Sequence, residues 1–196
     1  MRILIHRGSD LPAEVAVALG QYRYDVFVKQ LGWKLQTRDS CERDQYDRDD
    51  TMYVVARDHL GAICGCARLL PTTAPYLLQE IFPTLLSADM PPPVSTEVWE
   101  LSRFAVSSSH GREASYRWAV QPLLTAAVQC AMTLGAHRII GVTFLSMERL
   151  FRRIGVHAHR AGHSVLVDGK QVVACWIDLD HQTLAALDLG STQRAA

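Results

Sequence analysis

Long apolar runs are missing from this 196-residue sequence: none approaches the roughly 20 residues that a membrane-spanning helix needs, so no membrane segment is expected. A charge excess is missing too. Twenty Lys and Arg balance twenty Asp and Glu, a formal net charge of zero, which leaves attraction of the whole molecule to nucleic acid without support. Cysteine is sparse and badly spaced for chelation. The five residues are an odd number, Cys64-Gly65-Cys66 lacks the two-residue gap of a zinc pair, and no second pair stands near it. Buried free thiols are the expected state. Met1 to Arg7 holds only a short apolar run, soon followed by Asp10, unlike a secretory leader. These absences point to a cytoplasmic protein without a metal site.

What remains is an ordinary globular composition, 48% hydrophobic and 20% charged, in a chain of the size of one domain. One domain over residues 1–190 is expected, with 191–196 a flexible tail. Arg2 to His6 alternates like a strand. Val15, Leu19, Tyr22 and Val26 recur at helical spacing, predicting a helix from Ala13 to about Gln30 that Gly32 ends. Residues 34–50 read as a long polar loop. Thr51 to Arg57 and Ile63 to Leu70 predict a hairpin, Leu77 to Leu86 a short helical piece, and Val98 to Val106 a strand. Glu113 to Leu134 is a second long helix stopped by Gly135, and His137 to Phe144 a further strand. Ser146 is expected to cap a basic helix over 147–154. Val156 to Leu166 and Gln171 to Leu179 close a hairpin around Val167 to Lys170. The order predicts an α/β fold, a mixed central sheet flanked by helices in a single layered domain.

Three charged patches stand out between apolar runs. They are Glu42 to Asp50, Arg68 in GCARLLPT, and Glu100-Leu101-Ser102-Arg103 in VWELSRF. Charges bordered by strand-like sequence are costly to place unless they pair with one another or hold a polar ligand. On an extended chain Glu100 and Ser102 would face one way, Leu101 and Arg103 the other. Ordinary ion pairs between neighbouring elements would account for these residues as well as a functional site does.

The combination of Arg23, Phe27, Trp33, Glu42-x-Asp44-Gln45-x-Asp47, Gly65-Cys66-Ala67-Arg68-Leu69-Leu70-Pro71-Thr72 and Trp99-Glu100-Leu101-Ser102-Arg103-Phe104 resembles the acyl-homoserine-lactone synthases, the autoinducer synthases of bacterial quorum sensing. The resemblance runs from Gly20 to the final hairpin. It implies a fold similar to the GCN5-related N-acetyltransferases and a two-substrate reaction. An acyl chain arrives as a thioester on acyl carrier protein, or on coenzyme A in some members. The amine of S-adenosylmethionine attacks the thioester, and the product closes to a lactone with release of methylthioadenosine. No cofactor is implied, S-adenosylmethionine being a substrate.

Under that resemblance each residue acquires an expected role. Glu100 is the expected base for the ammonium of S-adenosylmethionine, directly or through one water, with Arg68 organising Asp44, Asp47 and Glu100 into one cluster. Asp44 and Asp47 are expected to recognise the ammonium and sulfonium end, and Arg23 and Arg103 to hold the carboxylate or lock the acidic loop in place. Phe27 and Trp33 offer flat faces to the adenine or sulfonium, although both suit an ordinary core equally. Backbone donors from Phe104 to Val106 are expected at the thioester oxyanion. The acyl pocket is expected from Thr143, Phe144, Met147, Leu150 and Trp176. Thr143 matches the family position linked to a 3-oxo group, but Thr is also simply a good strand former. A medium-length, octanoyl-like chain follows from the overall resemblance.

Arg149, Arg152 and Arg153 lie in a stretch rich in arginine and form the expected docking patch for the acidic carrier protein. His157, His159 and His163 lack an evident partner set and read as structural or surface residues. The alternative function is an amine N-acetyltransferase using acetyl coenzyme A. Such enzymes place a glycine-rich pyrophosphate loop before a helix. Here that place reads Ser107-Ser108-Ser109-His110-Gly111-Arg112-Glu113, without the glycine pattern.

Overall fold

The computed structural model describes residues 1–107 and 113–190, with the backbone alone for 113–118. Residues 108–112 and the expected tail of 191–196 lie outside the described residues. The fold is mixed α/β, built on a mixed sheet, and the chain divides into two compact units. One comprises Met1–Leu69 with Arg103–Ala127; the other comprises Leu70–Ser102 and the chain from Val128 onward.

In the first unit, β1 (Arg2–Arg7) pairs antiparallel with β4 (Met52–Arg57), and β4 with β5 (Ile63–Pro71). The second half of β6 (Val98–Val106) follows β5, where Ser107 N–H donates to Cys64 O at 2.9 Å. Tyr53 to Ala56 are buried without interruption, as in a strand covered on both faces. Helix α1 (Ala13–Arg23) starts after Pro12 and continues as a π-helix over Tyr24–Gln30, where the hydrogen bonds reach five residues back. The predicted helix is therefore present, but its last part is wider than an α-helix. Val15, Leu19, Tyr22, Val26 and Phe27 pack with Tyr53, Val55, Cys66 and Ala105 in one core.

The polar segment after this helix is not a plain loop. It holds two short paired strands, β2 (Thr37–Arg38) and β3 (Cys41–Glu42), turned through positive φ at Asp39 and Ser40. Two-residue strands carry too little alternation to be seen in sequence. Gly20 lets β3 lie close on α1, since a Cβ there would meet Cys41 Cβ at 3.1 Å.

In the second unit, the first half of β6 runs parallel to β7 (Arg138–Phe144), with Val98 opposite Arg138 and Glu100 opposite Ile140. Strand β10 (Lys170–Asp178) is antiparallel to β7, and β8 (Ala158–Arg160) is antiparallel to β10. Strand β9 (Val165–Val167) pairs with the start of β10 through a turn in which Asp168 and Gly169 both have positive φ. The long strand expected over 156–166 is thus two short ones. The interruption has a local cause: a Cβ on Gly162 would come within 2.3 Å of Leu85 O, and Ser87 N–H donates to Ala161 O at 2.9 Å, so the chain leaves the sheet there to pair elsewhere.

Helices of this unit also depart from expectation. Helix α2 spans only Leu77–Glu80, with a separate 3-10 turn at Pro83–Leu85; Pro83 lacks the N–H that a continuing helix needs. Helix α3 covers Glu113–Thr133 and closes at Gly135, φ 84°. Helix α4 is Leu145–Ile154, so Ser146 lies inside it rather than at its cap, which falls on Phe144 and has no side-chain bond. Its stop is as predicted, Gly155 at φ 111°. Helix α5 (His181–Ala186), not foreseen, is capped by Asp180, whose side chain accepts Thr183 N–H at 3.1 Å.

Candidate active site

Six charged side chains meet in the first unit, three arginines against three carboxylates. Arg23 ends α1, Glu42 ends β3, Asp44 and Asp47 lie in the following turn, and Arg68 and Arg103 come from β5 and β6. Asp47 Oδ1 accepts from Arg23 Nη1 at 2.7 Å, Arg68 Nη1 at 3.1 Å and the Tyr53 hydroxyl at 2.9 Å. Its Oδ2 accepts from Arg23 Nη2 at 3.1 Å and Asp44 N–H at 2.8 Å. Asp44 is gripped by Arg68 on both oxygens and by Arg103 Nη2 at 2.8 Å. Glu42 holds Arg103 through Nε at 3.2 Å and Nη2 at 2.9 Å, and also binds Arg23 Nε.

Local geometry explains the convergence. Tyr53 and Arg68 are register partners on β4 and β5, so their side chains leave the sheet side by side and reach the same aspartate. Arg103 has φ 49° within β6. That left-handed residue interrupts the alternation expected to pair Leu101 with Arg103, and a non-glycine residue held there costs about 1–3 kcal/mol. Phe27 and Trp33 stack, centroids 5.0 Å apart at 25°, and the Arg103 guanidinium lies 5.5 Å from the Phe27 centroid. Phe27 is buried and Trp33 half-buried.

Electrostatics keep the cluster ionised. Burial pushes the Asp47 carboxyl up, but Arg23 and Arg68 outweigh it and hold the group well below the usual range. Glu42 behaves alike: burial raises it, and Arg103 and Arg23 bring it below its ordinary value. Burial and then Asp47 raise the Tyr53 phenol, which stays a neutral donor. Three positive charges cancel three negative ones, so these six add no net charge. Asp44 is the most open carboxylate, its side chain 14% exposed against 2% for Asp47 and none for Glu42.

Sequence alone assigns no role to Glu42 or Tyr53. Glu42 opens the Glu42-x-Asp44 motif, but its partners lie 19 and 61 residues away, beyond any local pattern. Phe104 is half-buried and Val106 buried. The thiols are free: Cys66 is pushed up to about 12 by burial, Cys175 to about 12 and Cys130 to about 11 for the same reason, and Cys41 and Cys64 are half-buried.

In the second unit, Glu100 is fully buried and accepts the backbone N–H groups of Leu77 at 3.0 Å and Leu78 at 2.6 Å. The expected acyl-pocket residues divide between the two faces of the sheet. Thr143 lies opposite Val173 and Phe144 opposite Val172, whereas Trp176 lies opposite Ile140. Trp176 therefore shares its face with Phe144, and Thr143 points to the other face with Cys175 and Ile177. A single pocket lined by Thr143 and Trp176 together is not what the register provides. Met147 and Leu150, on α4, are half-buried.

On the same helix, Arg149, Arg152 and Arg153 are exposed, while Glu148 is buried and binds Arg152 at 3.5 Å and Arg160 at 3.2 Å. The expectation that the histidines lack partners is wrong for two of them. His157 Nδ1 lies 2.6 Å from Asp180 Oδ2, and His159 Nε2 lies 2.8 Å from Asp178 Oδ2. The hydrogen bond to Asp180 raises the titration of His157. Both aspartates come from later in the chain, so spacing around the histidines could not disclose them.

The family model described as autoinducer synthase matches residues 14–187. The chain belongs to the autoinducer synthases. An acyl-homoserine-lactone synthase of Ralstonia solanacearum is 59% identical over 198 residues, covering 100% of this chain and 97% of the relative. A crystal structure of TofI, in a ternary complex with an inhibitor and MTA, superposes with a TM-score of 0.87 at 62% identity, over 96% of this chain and 97% of that one. BjaI, described as a CoA-dependent acyl-homoserine lactone synthase and solved with MTA, gives 0.83 at 27% identity over 97% and 90%. The likeness to an acyl-CoA N-acyltransferase from Pseudomonas aeruginosa, TM-score 0.63 at 20% identity over 89% and 97%, is one of fold. This autoinducer synthase is an enzyme, an acyltransferase that makes acyl-homoserine lactones for quorum sensing. Among the described residues no helix is long and apolar enough to cross a membrane.

Proposed function

We propose that the enzyme joins an acyl chain from acyl carrier protein to the amine of S-adenosylmethionine and closes the product to an N-acyl-L-homoserine lactone, releasing methylthioadenosine. The observation that carries the S-adenosylmethionine half is the charge-balanced cluster with Asp44 at its open edge, next to the Phe27–Trp33 stack. Asp44 takes the ammonium or sulfonium, the aromatic pair takes the adenine, and Arg23, Arg68 and Arg103 hold the acidic turn in place. The MTA in the TofI structure fits the same half of the reaction, since methylthioadenosine is what S-adenosylmethionine leaves behind.

The chemistry follows from these groups. Glu100 takes a proton from the ammonium, directly or through one water. The freed amine forms an N–C bond with the thioester carbonyl, donors from the Phe104–Val106 strand steady the oxyanion, and the C–S bond breaks to release the carrier thiol. The carboxylate of the acylated intermediate then attacks its own γ-carbon and expels methylthioadenosine. No metal or redox cofactor takes part. The acyl chain is of medium, octanoyl-like length, received by Phe144, Met147, Leu150 and either Thr143 or Trp176 according to the sheet face used. Carrier protein as the donor rests on the exposed arginines of α4; BjaI takes its chain from coenzyme A, so the donor is the first point to test.

The test is incubation of the pure protein with S-adenosylmethionine and paired donors, octanoyl carrier protein and octanoyl coenzyme A, with products identified by mass spectrometry. Octanoyl-homoserine lactone formed faster from the carrier protein is expected; faster turnover of the coenzyme A thioester would overturn the donor assignment. Glu100→Gln should lower kcat by about 100-fold or more with the fold intact by circular dichroism. Full activity in that variant would remove Glu100 as the base.

A further inference from the structure

His157, His159 and Asp178 have no part in the proposed reaction, yet among the described residues they form a group that could hold a metal ion, and Asp180 lies against His157 beside it. His157 directly precedes β8 and His159 lies within it, and their ring centroids are 5.5 Å apart. Asp178 ends the neighbouring strand β10, with its N–H donating to His157 O at 3.0 Å, and Asp180 follows two residues later. The ligand atoms of His157, His159 and Asp178 all lie within 4.8 Å of one another.

The carboxylates are arranged as a supported ligand pair. Asp178 Oδ1 is held by Arg138 Nε at 2.7 Å, which leaves Oδ2 facing both imidazoles, 2.8 Å from His159 Nε2 and 3.7 Å from His157 Nδ1. Asp180 Oδ1 is held by Thr183 N–H at 3.1 Å, which leaves Oδ2 at 2.6 Å from His157 Nδ1. Each aspartate thus has one oxygen anchored and one aimed at the histidines, the outer support that orients metal ligands. A tetrahedral ion with bonds of roughly 2.0–2.2 Å spaces its ligand atoms about 3.4 Å apart, within the range these atoms already span. By register the cluster shares the sheet face of Trp176, away from Cys175.

We propose that His157 Nδ1, His159 Nε2 and Asp178 Oδ2 bind a divalent transition ion of the zinc class, with Asp180 Oδ2 as the fourth ligand. Two imidazoles and two carboxylates suit such an ion, and the two aspartates balance its charge. Bound there, it clamps β8 to β10 and to the start of α5. This site is separate from the acyl-transfer chemistry, which needs no metal.

The experiment uses the full chain stripped with a chelator. Zinc is titrated against a chromophoric competitor, and thermal melting is recorded with and without the ion. One equivalent bound and a raised melting temperature are expected. His159→Gln and Asp178→Asn should each weaken binding by at least about tenfold. His159→Gln removes a half-exposed side chain, so its chelator-stripped form should melt as the stripped wild type does. Cobalt in place of zinc should give a spectrum without a thiolate charge-transfer band. Absence of binding, undiminished binding in His159→Gln, or a thiolate band would each overturn the assignment, the last by moving the ion to the cysteines.

Discussion

Asp44 and Asp47 are three residues apart and share Arg68, yet the structure gives them different tasks. Asp47 is buried and receives Arg23, Arg68 and Tyr53. Removing its carboxylate in Asp47→Ala strands two buried guanidinium groups, which costs about 3–5 kcal/mol of unfolding free energy, measurable by urea denaturation. Asp44 is the more open of the pair and is the one assigned to the substrate ammonium or sulfonium. Asp44→Asn keeps the shape and much of the hydrogen bonding, so KM for S-adenosylmethionine should rise about tenfold or more with a smaller loss of stability. If Asp44→Asn left that KM unchanged, the binding role would pass to another group. The histidines teach the same lesson about single residues: His157 and His159 acquire their character only from Asp180 and Asp178.

Helix α4 shows how an element can carry a patch and a brace at once. Glu148 points inward and holds Arg152 and Arg160, while Arg149 and Arg153 face outward. Charge reversal at both Arg149 and Arg153 should raise KM for acyl carrier protein several-fold, more at low salt, and leave KM for S-adenosylmethionine alone. An equal effect on both substrates would mean that the helix itself had been disturbed. The end of α4 is set by Gly155, at φ 111° and with a would-be Cβ 3.1 Å from Ala186. Gly155→Ala should therefore lower stability by about 1 kcal/mol or more, read as a reduced denaturation midpoint.

For the whole molecule, the acidic cluster dictates a pH dependence. Arg23, Arg68 and Arg103 hold Glu42 and Asp47 below the values they take in an unfolded chain, so the unfolded state binds protons first as the pH falls. Their contribution is complete above roughly pH 5 and is lost as the pH drops from about 4 towards the folded values. Thermal melts from pH 7 to pH 3 should show the steepest loss below about pH 4. In Glu42→Gln that slope should be shallower. A melting temperature flat across this range would refute the account.

Sequence alone determined the strands of strong alternation, the helix stop at Gly155, the hairpin turn at Asp168-Gly169 and the residue types of the charged cluster. Those are local matters: side-chain period, backbone freedom of glycine and the cost of unpaired charge act within a few residues. The family was legible for the same reason, because its motifs are short ordered sets of residue types. Tertiary structure alone decided which charges meet, since Arg103 and Glu42 are 61 residues apart and no local pattern joins them. It also decided that Thr143 and Trp176 face opposite ways, because sheet register is a relation between two strands. The split of the last long strand likewise came from the approach of Gly162 to Leu85. Pairing, register and close approach belong to distant parts of the chain brought together, and only the folded molecule states them.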